Sequence, residues 1–184
     1  MIYAGRVPMP PRMYRRILRT RRRVRAYVDP YRETSVRYMG YTNEVGEVLG
    51  DFLPDWGLPA SYCVAAIYIL FDTLDKGQHA YDEAPVGERL EETLTTSFET
   101  LTWQIFASVV WPGGVIKCIY KFVEYLTHSD SGYIPTLVTI SMIPLIVRPI
   151  DTAVDIFMEK TMSKRIRWAF EKIKSLSLLY IFKR

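Results

Sequence analysis

The apolar residues of this chain are gathered into long runs that charge hardly enters, and prolines interrupt those runs. From Leu58 to Leu74 the only charged side chain is Asp72, and from Tyr133 to Val147 there is none. Runs of this kind suit a bilayer, where only helices with internally satisfied backbones can cross. Each is near or below the ~20 residues that a crossing helix needs. Short spans are therefore expected at about 58–74, 95–126 with a break at Pro112, and 133–149, the last carrying Pro135, Pro144 and Pro149. A buried helix of a soluble bundle is the alternative for 58–74 taken alone. The fold class is all-α, a multi-span helical membrane protein.

A mean hydropathy of zero hides this because charge is segregated along the chain. Residues 1–28 hold nine arginines and no acid, residues 29–151 carry seven basic and seventeen acidic side chains, and residues 152–184 eight and three. The N-terminal arm, rich in arginine with interleaved Ile17, Leu18 and Val24, reads as a matrix-targeting type of segment. If it is retained, Arg15, Arg16, Arg19, Arg22 and Arg23 are candidates to contact a protein surface or lipid head groups such as cardiolipin. Nothing else in the chain suggests nucleic-acid reading. At the other end Val154, Phe157, Met158, Ile166 and Phe170 share one side of a helix, with Lys160, Lys164 and Arg167 among its basic residues. That pattern suits a basic amphipathic helix lying on an anionic membrane surface. The chain thus divides into an arm (1–28), a membrane domain (29–160) and a basic extension (161–184). The positive-inside rule puts both basic ends on one side, which needs an even number of crossings against three candidate spans. The sequence leaves that parity open.

Local signals fill in the rest. Asp29-Pro30 reads as a helix start, and Tyr38, Tyr41, Val45, Leu49 and Phe52 recur at three- and four-residue steps. The expectation is one amphipathic helix of about six turns with that apolar face inward, ended by Pro54. Asp72, Asp75 and Lys76 mark emergence into water, followed by an acidic loop over 75–92 in which Asp82, Glu83, Glu91 and Glu92 are solvated. Asp151 is placed to cap a following helix. Cys63 and Cys118 read as buried small hydrophobes. With two histidines, His79 and His128, and no Cys/His cluster, no metal site or cofactor is expected. Glu99, Lys117, Lys121 and Glu124 sit near segment ends or the Pro112 break, where snorkelling accounts for them. No phosphate loop, nucleophile elbow or paired catalytic carboxylates occur, so neither enzymatic activity nor a small-molecule substrate is expected.

Three stretches carry a more specific signal. They are Tyr31-Arg32-Glu33-Thr34 through Val36-Arg37-Tyr38-Met39-Gly40-Tyr41 to Asn43-Glu44-Val45-Gly46-Glu47; Trp103-Gln104 with Ala107-Ser108-Val109 and Pro112-Gly113; and Ile143-Pro144-Leu145-Ile146-Val147-Arg148-Pro149-Ile150-Asp151 with Val154-Asp155. In order and spacing they resemble the mitochondrial fission process protein 1 family. The resemblance implies a multi-pass protein of the mitochondrial inner membrane, linked to fission and inner-membrane integrity, without known catalytic chemistry. A second role is a structural accessory subunit of a large inner-membrane complex, with the basic arms docking to neighbouring subunits and cardiolipin. An ion or solute pathway is a third. Within the signature, Arg37 with Glu44 or Glu47 is expected to make polar contacts that fix the segment against the spans. Gly40 and Gly46 should sit at a close helix contact, and Arg148 is a candidate partner of Asp151 or Asp155.

Overall fold

The computed structural model describes residues 29–128 and 132–182. The arginines singled out in the N-terminal arm lie outside the described residues. The chain runs as a 3₁₀ turn Ser35–Tyr41, α1 (Thr42–Val48), a second 3₁₀ turn Gly50–Phe52, α2 (Gly57–Glu83), α3 (Arg89–Ile105), α4 (Trp111–Thr127), α5 (Tyr133–Phe157) and α6 (Ser163–Phe182). A π-helical segment, Phe106–Val110, fuses α3 to α4, and another, Met158–Met162, fuses α5 to α6. Among the described residues every regular element is helical. Three continuous helices, Gly57–Glu83, Arg89–Thr127 and Tyr133–Ile173, are long and apolar enough to cross a membrane.

Several boundaries depart from the sequence reading. The expected acidic loop over 75–92 is helix on both sides of a tight connection, because α2 runs to Glu83 and α3 starts at Arg89. Asp72 does not emerge into water. It is fully buried, since α2 continues past it and its carboxylate finds partners within the bundle. Pro112 does not break the second span. A proline needs no N–H at the first turn of a helix, and the π segment before it absorbs the register change. Pro144 and Pro149 likewise lie inside α5. Asp151 caps nothing, because the helix passes straight through it. Cys63 and Cys118 are exposed, on the outer faces of α2 and α4.

The largest departure is the segment 35–52. Instead of one six-turn helix it is two 3₁₀ turns around a short α-helix, and it buries polar residues and glycines beside Tyr41 of the expected face. Arg37, Gly40 and Asn43, three apart, all point inward, together with Tyr41, Glu44 and Gly46. A 3₁₀ turn repeats every three residues, which is why a three-residue step rather than the apolar three-four step is hidden. Tyr38 and Phe52, expected inside, are 44% and 42% exposed.

This segment lies antiparallel along α2. Asp29 meets Lys76, Gly40 abuts Tyr68, Gly46 abuts Ser61, and Phe52 stacks on Tyr133 at 4.8 Å between centroids. The chain has thus passed from the level of residue 76 to the foot of α5 before α2 begins. α2 climbs, α3–α4 descends, and α5–α6 climbs again. An apolar core of Tyr41, Trp103, Ala107, Ile116, Ile143, Val147, Ile150 and Val154 joins them. Around it the distribution is reversed relative to a water-soluble bundle. Arg37, Asn43, Glu44, Asp72, Gln104, Ser108, Thr136 and Thr139 are all buried, while Leu70, Phe71, Leu74, Phe122, Tyr125, Leu137 and Leu145 are each more than half exposed.

Candidate functional site

The buried polar groups form one seam. Its centre is Arg37, which is 2% exposed. Nε donates to Asp151 Oδ2 at 2.9 Å and Nη2 to Asp151 Oδ1 at 2.6 Å, a bidentate clamp between the 3₁₀ turn and α5. Nη1 donates to Ser108 Oγ at 2.9 Å, and Nη2 also to the Ala107 carbonyl at 2.9 Å. The last contact has a backbone cause. In α register the Ala107 carbonyl would accept from Trp111, but that N–H is bonded to Phe106 in the π segment. In π register its partner would be Pro112, which has no N–H. The carbonyl is left without a backbone donor, and Arg37 supplies one. An arginine and a proline 75 residues apart in sequence are two halves of one arrangement.

From Ser108 the seam continues towards α2. Ser108 Oγ donates to Gln104 Oε1 at 2.8 Å, and Gln104 Nε2 donates to Asp72 Oδ2 at 2.5 Å. Lys76 pairs with Asp72 on its own helix and donates to Asp29 Oδ2 at 2.9 Å. Tyr68 closes the ring by donating to the Tyr31 carbonyl at 2.7 Å. Burial would raise the Asp29 carboxyl, but it is outweighed by the Lys76 ammonium, the Tyr31 N–H and Arg32, so its pKa lies below the usual value. Beside the seam, Trp103 Nε1 donates to Asp155 Oδ1 at 2.7 Å. The Arg32 guanidinium stands 3.6 Å from the centroid of the Trp103 ring, a cation–π distance.

Gly40 and Gly46 make the approach of this segment possible. A Cβ on Gly40 would lie 2.7 Å from Arg37 Nη1, Ser108 Oγ and Tyr68 Cε1. One on Gly46 would overlap the Ser61 hydroxyl and stand 2.6 Å from Ser61 Cβ. Lower in the bundle Asn43 Nδ2 donates to Glu44 Oε1 at 2.7 Å, and Glu44 faces Gly113, where a Cβ would come within 3.2 Å of its carboxylate. Glu47 accepts from Tyr62 at 2.5 Å.

Of the residues singled out from sequence, the structure brings Arg37, Trp103, Gln104, Asp151 and Asp155 to this seam, with Gly40, Tyr41 and Pro112 against it. Asn43, Glu44, Gly46, Glu47 and Gly113 lie on the same segment or its neighbours. Pro144, Arg148 and Pro149 are exposed on α5. Arg148 is thus not the partner of Asp151, because the Asp151 carboxylate is turned inward onto Arg37. The polar contacts of Arg37 to the spans run to Asp151, Ser108 and Ala107, and Glu47 reaches the neighbouring helix through Tyr62. Lys160, Lys164 and Arg167 are exposed, and Arg167 grips Glu99 at 3.0 and 3.3 Å. Sequence reading missed the part played by Asp72, Lys76 and Asp29. The available signal was an aspartate only one residue beyond an apolar run, followed one turn later by lysine. Among the described residues no group of three His, Cys, Asp or Glu side chains could hold a metal ion.

A polar interior wrapped in three long apolar helices defines a helical bundle of membrane type. No family model matches the chain, and no solved structure matches it. Curated relatives do. The chain is 35% identical to mitochondrial fission process protein 1 of Danio rerio over 147 residues, covering 74% of this chain and 88% of the relative. The Homo sapiens protein of that name is 33% identical over 144 residues, with 74% and 87% covered. The Caenorhabditis elegans one is 34% identical over 145, with the same coverage. The chain belongs to the mitochondrial fission process protein 1 family.

Proposed function

We propose that this protein is a non-enzymatic, multi-pass component of the mitochondrial inner membrane that supports mitochondrial fission and inner-membrane organisation. The observation that carries the reading is the reversed burial around the Arg37–Asp151 clamp. Ionisable groups in hydrocarbon are costly unless they face the bundle interior and pair, and water offers no reason to leave so many large apolar side chains outside. The relatives' name supports the mitochondrial and fission parts. In this reading three apolar helices cross the bilayer and the segment 35–52 accompanies α2 back through it. Both basic ends then lie on one side, and the parity that the sequence leaves open comes out even.

The seam is a staple rather than a pathway. Arginine only donates and keeps its proton, so a proton relay through Arg37 has no step to take. The carboxylates of Asp29, Asp72 and Asp151 each already have a cationic partner.

The test is fractionation of mitochondria with alkaline carbonate extraction, paired with depletion of the chain and imaging of the network. The protein is expected in the carbonate-resistant inner-membrane fraction, and depletion is expected to elongate mitochondria. Release by carbonate, or an unchanged network, would overturn the corresponding half of the reading. Co-purification at fixed stoichiometry with respiratory-chain or ATP synthase subunits would replace it with the accessory-subunit role.

A further inference from the structure

Arg37 and Arg32 lie on neighbouring turns and are held very differently. Arg37 makes four hydrogen bonds. Among the described residues the side chain of Arg32 makes none: its nearest carboxylate contacts, to Asp29 and Asp155, are 3.8 and 3.9 Å, and its Nε is buried without a partner there. Stacked against Trp103 with donors to spare, it is fixed in place but not satisfied. A guanidinium in that condition is prepared for an oxyanion.

Arg32 lines a groove of about 510 Å³ between α3 and the junction of α5 with α6. Three cations and three carboxylates border it, so as a whole it is neutral and does not select an anion. Two of the carboxylates are already committed, Glu99 to both donors of Arg167 and Asp155 to the Trp103 indole. That leaves Glu159 and Lys164. Both are exposed, and among the described residues neither forms an ion pair. Glu159 lies in the π segment and Lys164 just beyond it, roughly 7 Å apart along the helix axis by helical rise, a gap that two long side chains close from either end. The groove therefore offers free donors, from Arg32 and Lys164, beside one free carboxylate. It also sits where the bilayer surface falls in the membrane reading, because Glu99 is the last charged residue before the uncharged stretch from Thr100 to Ile116.

We infer that this groove binds the zwitterionic phosphoammonium head group of a membrane lipid. Its phosphate oxygens accept from Arg32 and Lys164, and its primary ammonium donates to Glu159. A head group with no cationic end would leave Glu159 facing its phosphate, and a quaternary ammonium has no N–H to give it. Phosphatidylethanolamine fits where phosphatidylglycerol and phosphatidylcholine do not. The inference rests on the membrane reading above.

The experiment incubates the purified full chain with vesicles of equal parts phosphatidylethanolamine, phosphatidylcholine and phosphatidylglycerol, re-extracts it gently, and weighs retained lipid by native mass spectrometry. Phosphatidylethanolamine should be retained preferentially. Glu159→Gln and Lys164→Gln should each reduce its retention roughly five- to tenfold, the loss of one charge-assisted bond, with thermal unfolding unchanged. Lys121→Gln, on exposed α4, should have no effect. Preferential retention of phosphatidylglycerol, or retention of phosphatidylethanolamine indifferent to both substitutions, overturns the inference. So does saturable binding of free phosphoethanolamine that displaces the lipid, because the source would then be a soluble molecule. Carbonate extraction of the same variants separates the two claims, since a chain that stays in the membrane but shows no head-group preference fails only here.

Discussion

The Arg37 side chain answers three different vacancies at once: the charge of Asp151, the hydroxyl of Ser108 and the carbonyl stranded by Pro112. Removing one member of a buried pair leaves the other unpaired, at a cost of about 3–5 kcal/mol. Asp151→Ala is therefore expected to lower the thermal midpoint of the detergent-solubilised chain steeply. Arg37→Lys should do almost as much, because an ammonium cannot reproduce the bidentate fork. The double variant Arg37→Met with Asp151→Leu should recover most of the loss. If each single variant melts within a degree or two of the parent, the clamp is not what holds the segment. Gly40 carries a separate prediction. Alanine there meets Arg37, Ser108 and Tyr68 together, so Gly40→Ala should destabilise by about 1–3 kcal/mol through overpacking. Gly50→Ala, with open space around it, should be neutral or slightly stabilising. Equal effects at the two glycines would remove the packing argument. At this scale the sequence was readable in identity but not in pairing. Arg37, Gly40 and Asp151 stand out as signature residues, yet Arg148 looked the nearer partner of Asp151, because sequence distance says nothing about which face of α5 a carboxylate occupies.

Elements behaved differently from residues. The three apolar helices were legible because uncharged runs of this length have few alternatives. Their ends were not. A proline-glycine-glycine sequence looks like a break, and only the π segment before it, with Arg37 as outside donor, shows how the helix continues. Pro112→Ala tests this account. Restoring an N–H at 112 gives the Ala107 carbonyl a backbone donor, so the cost of Arg37→Met should be smaller in the Pro112→Ala background than in the parent. A double-mutant cycle with no coupling energy would separate the two features. The segment 35–52 was misread for a deeper reason. Periodicity identifies which residues share a face of an α-helix, but the 3₁₀ step also turns Arg37, Gly40 and Asn43 inward beside Tyr41 and leaves Tyr38 outside. Its N-terminal anchor gives a pH prediction. Asp29 is held below its ordinary pKa by Lys76, the Tyr31 N–H and Arg32 against the cost of burial. A carboxyl so depressed adds stability that is complete above its unfolded value, near 3.8, and lost as pH falls through its lower folded value. Asp29→Asn should then lower the melting midpoint at pH 7, by about a few degrees. That difference should shrink towards zero as pH falls below 4. A deficit that persists undiminished at pH 2 would mean that the Asp29 charge is not its source.

At the scale of the whole molecule the count of crossings matters more than any one helix. Three apolar helices alone would place the start of α2 and the end of α5 on opposite sides of a membrane. The antiparallel return of 35–52, pinned at one end by Asp29 on Lys76 and at the other by Phe52 on Tyr133, brings the start of the described chain level with α6. The contact at 3.9 Å between Arg32 and Asp155 fixes that levelling directly, since Arg32 precedes the bundle and Asp155 lies near the end of α5. In the proposed membrane reading, the ends that carry nine arginines before residue 29 and eight basic residues after residue 151 would share one side, as the positive-inside rule asks. The prediction is that tags fused to the two ends are protected together. With the outer membrane ruptured and the inner membrane intact, added protease should leave both tags whole. It should reach both only after the inner membrane is solubilised. Loss of one tag while the other survives would mean an odd number of crossings, and the segment 35–52 would have to lie against the bundle without returning the chain through the bilayer.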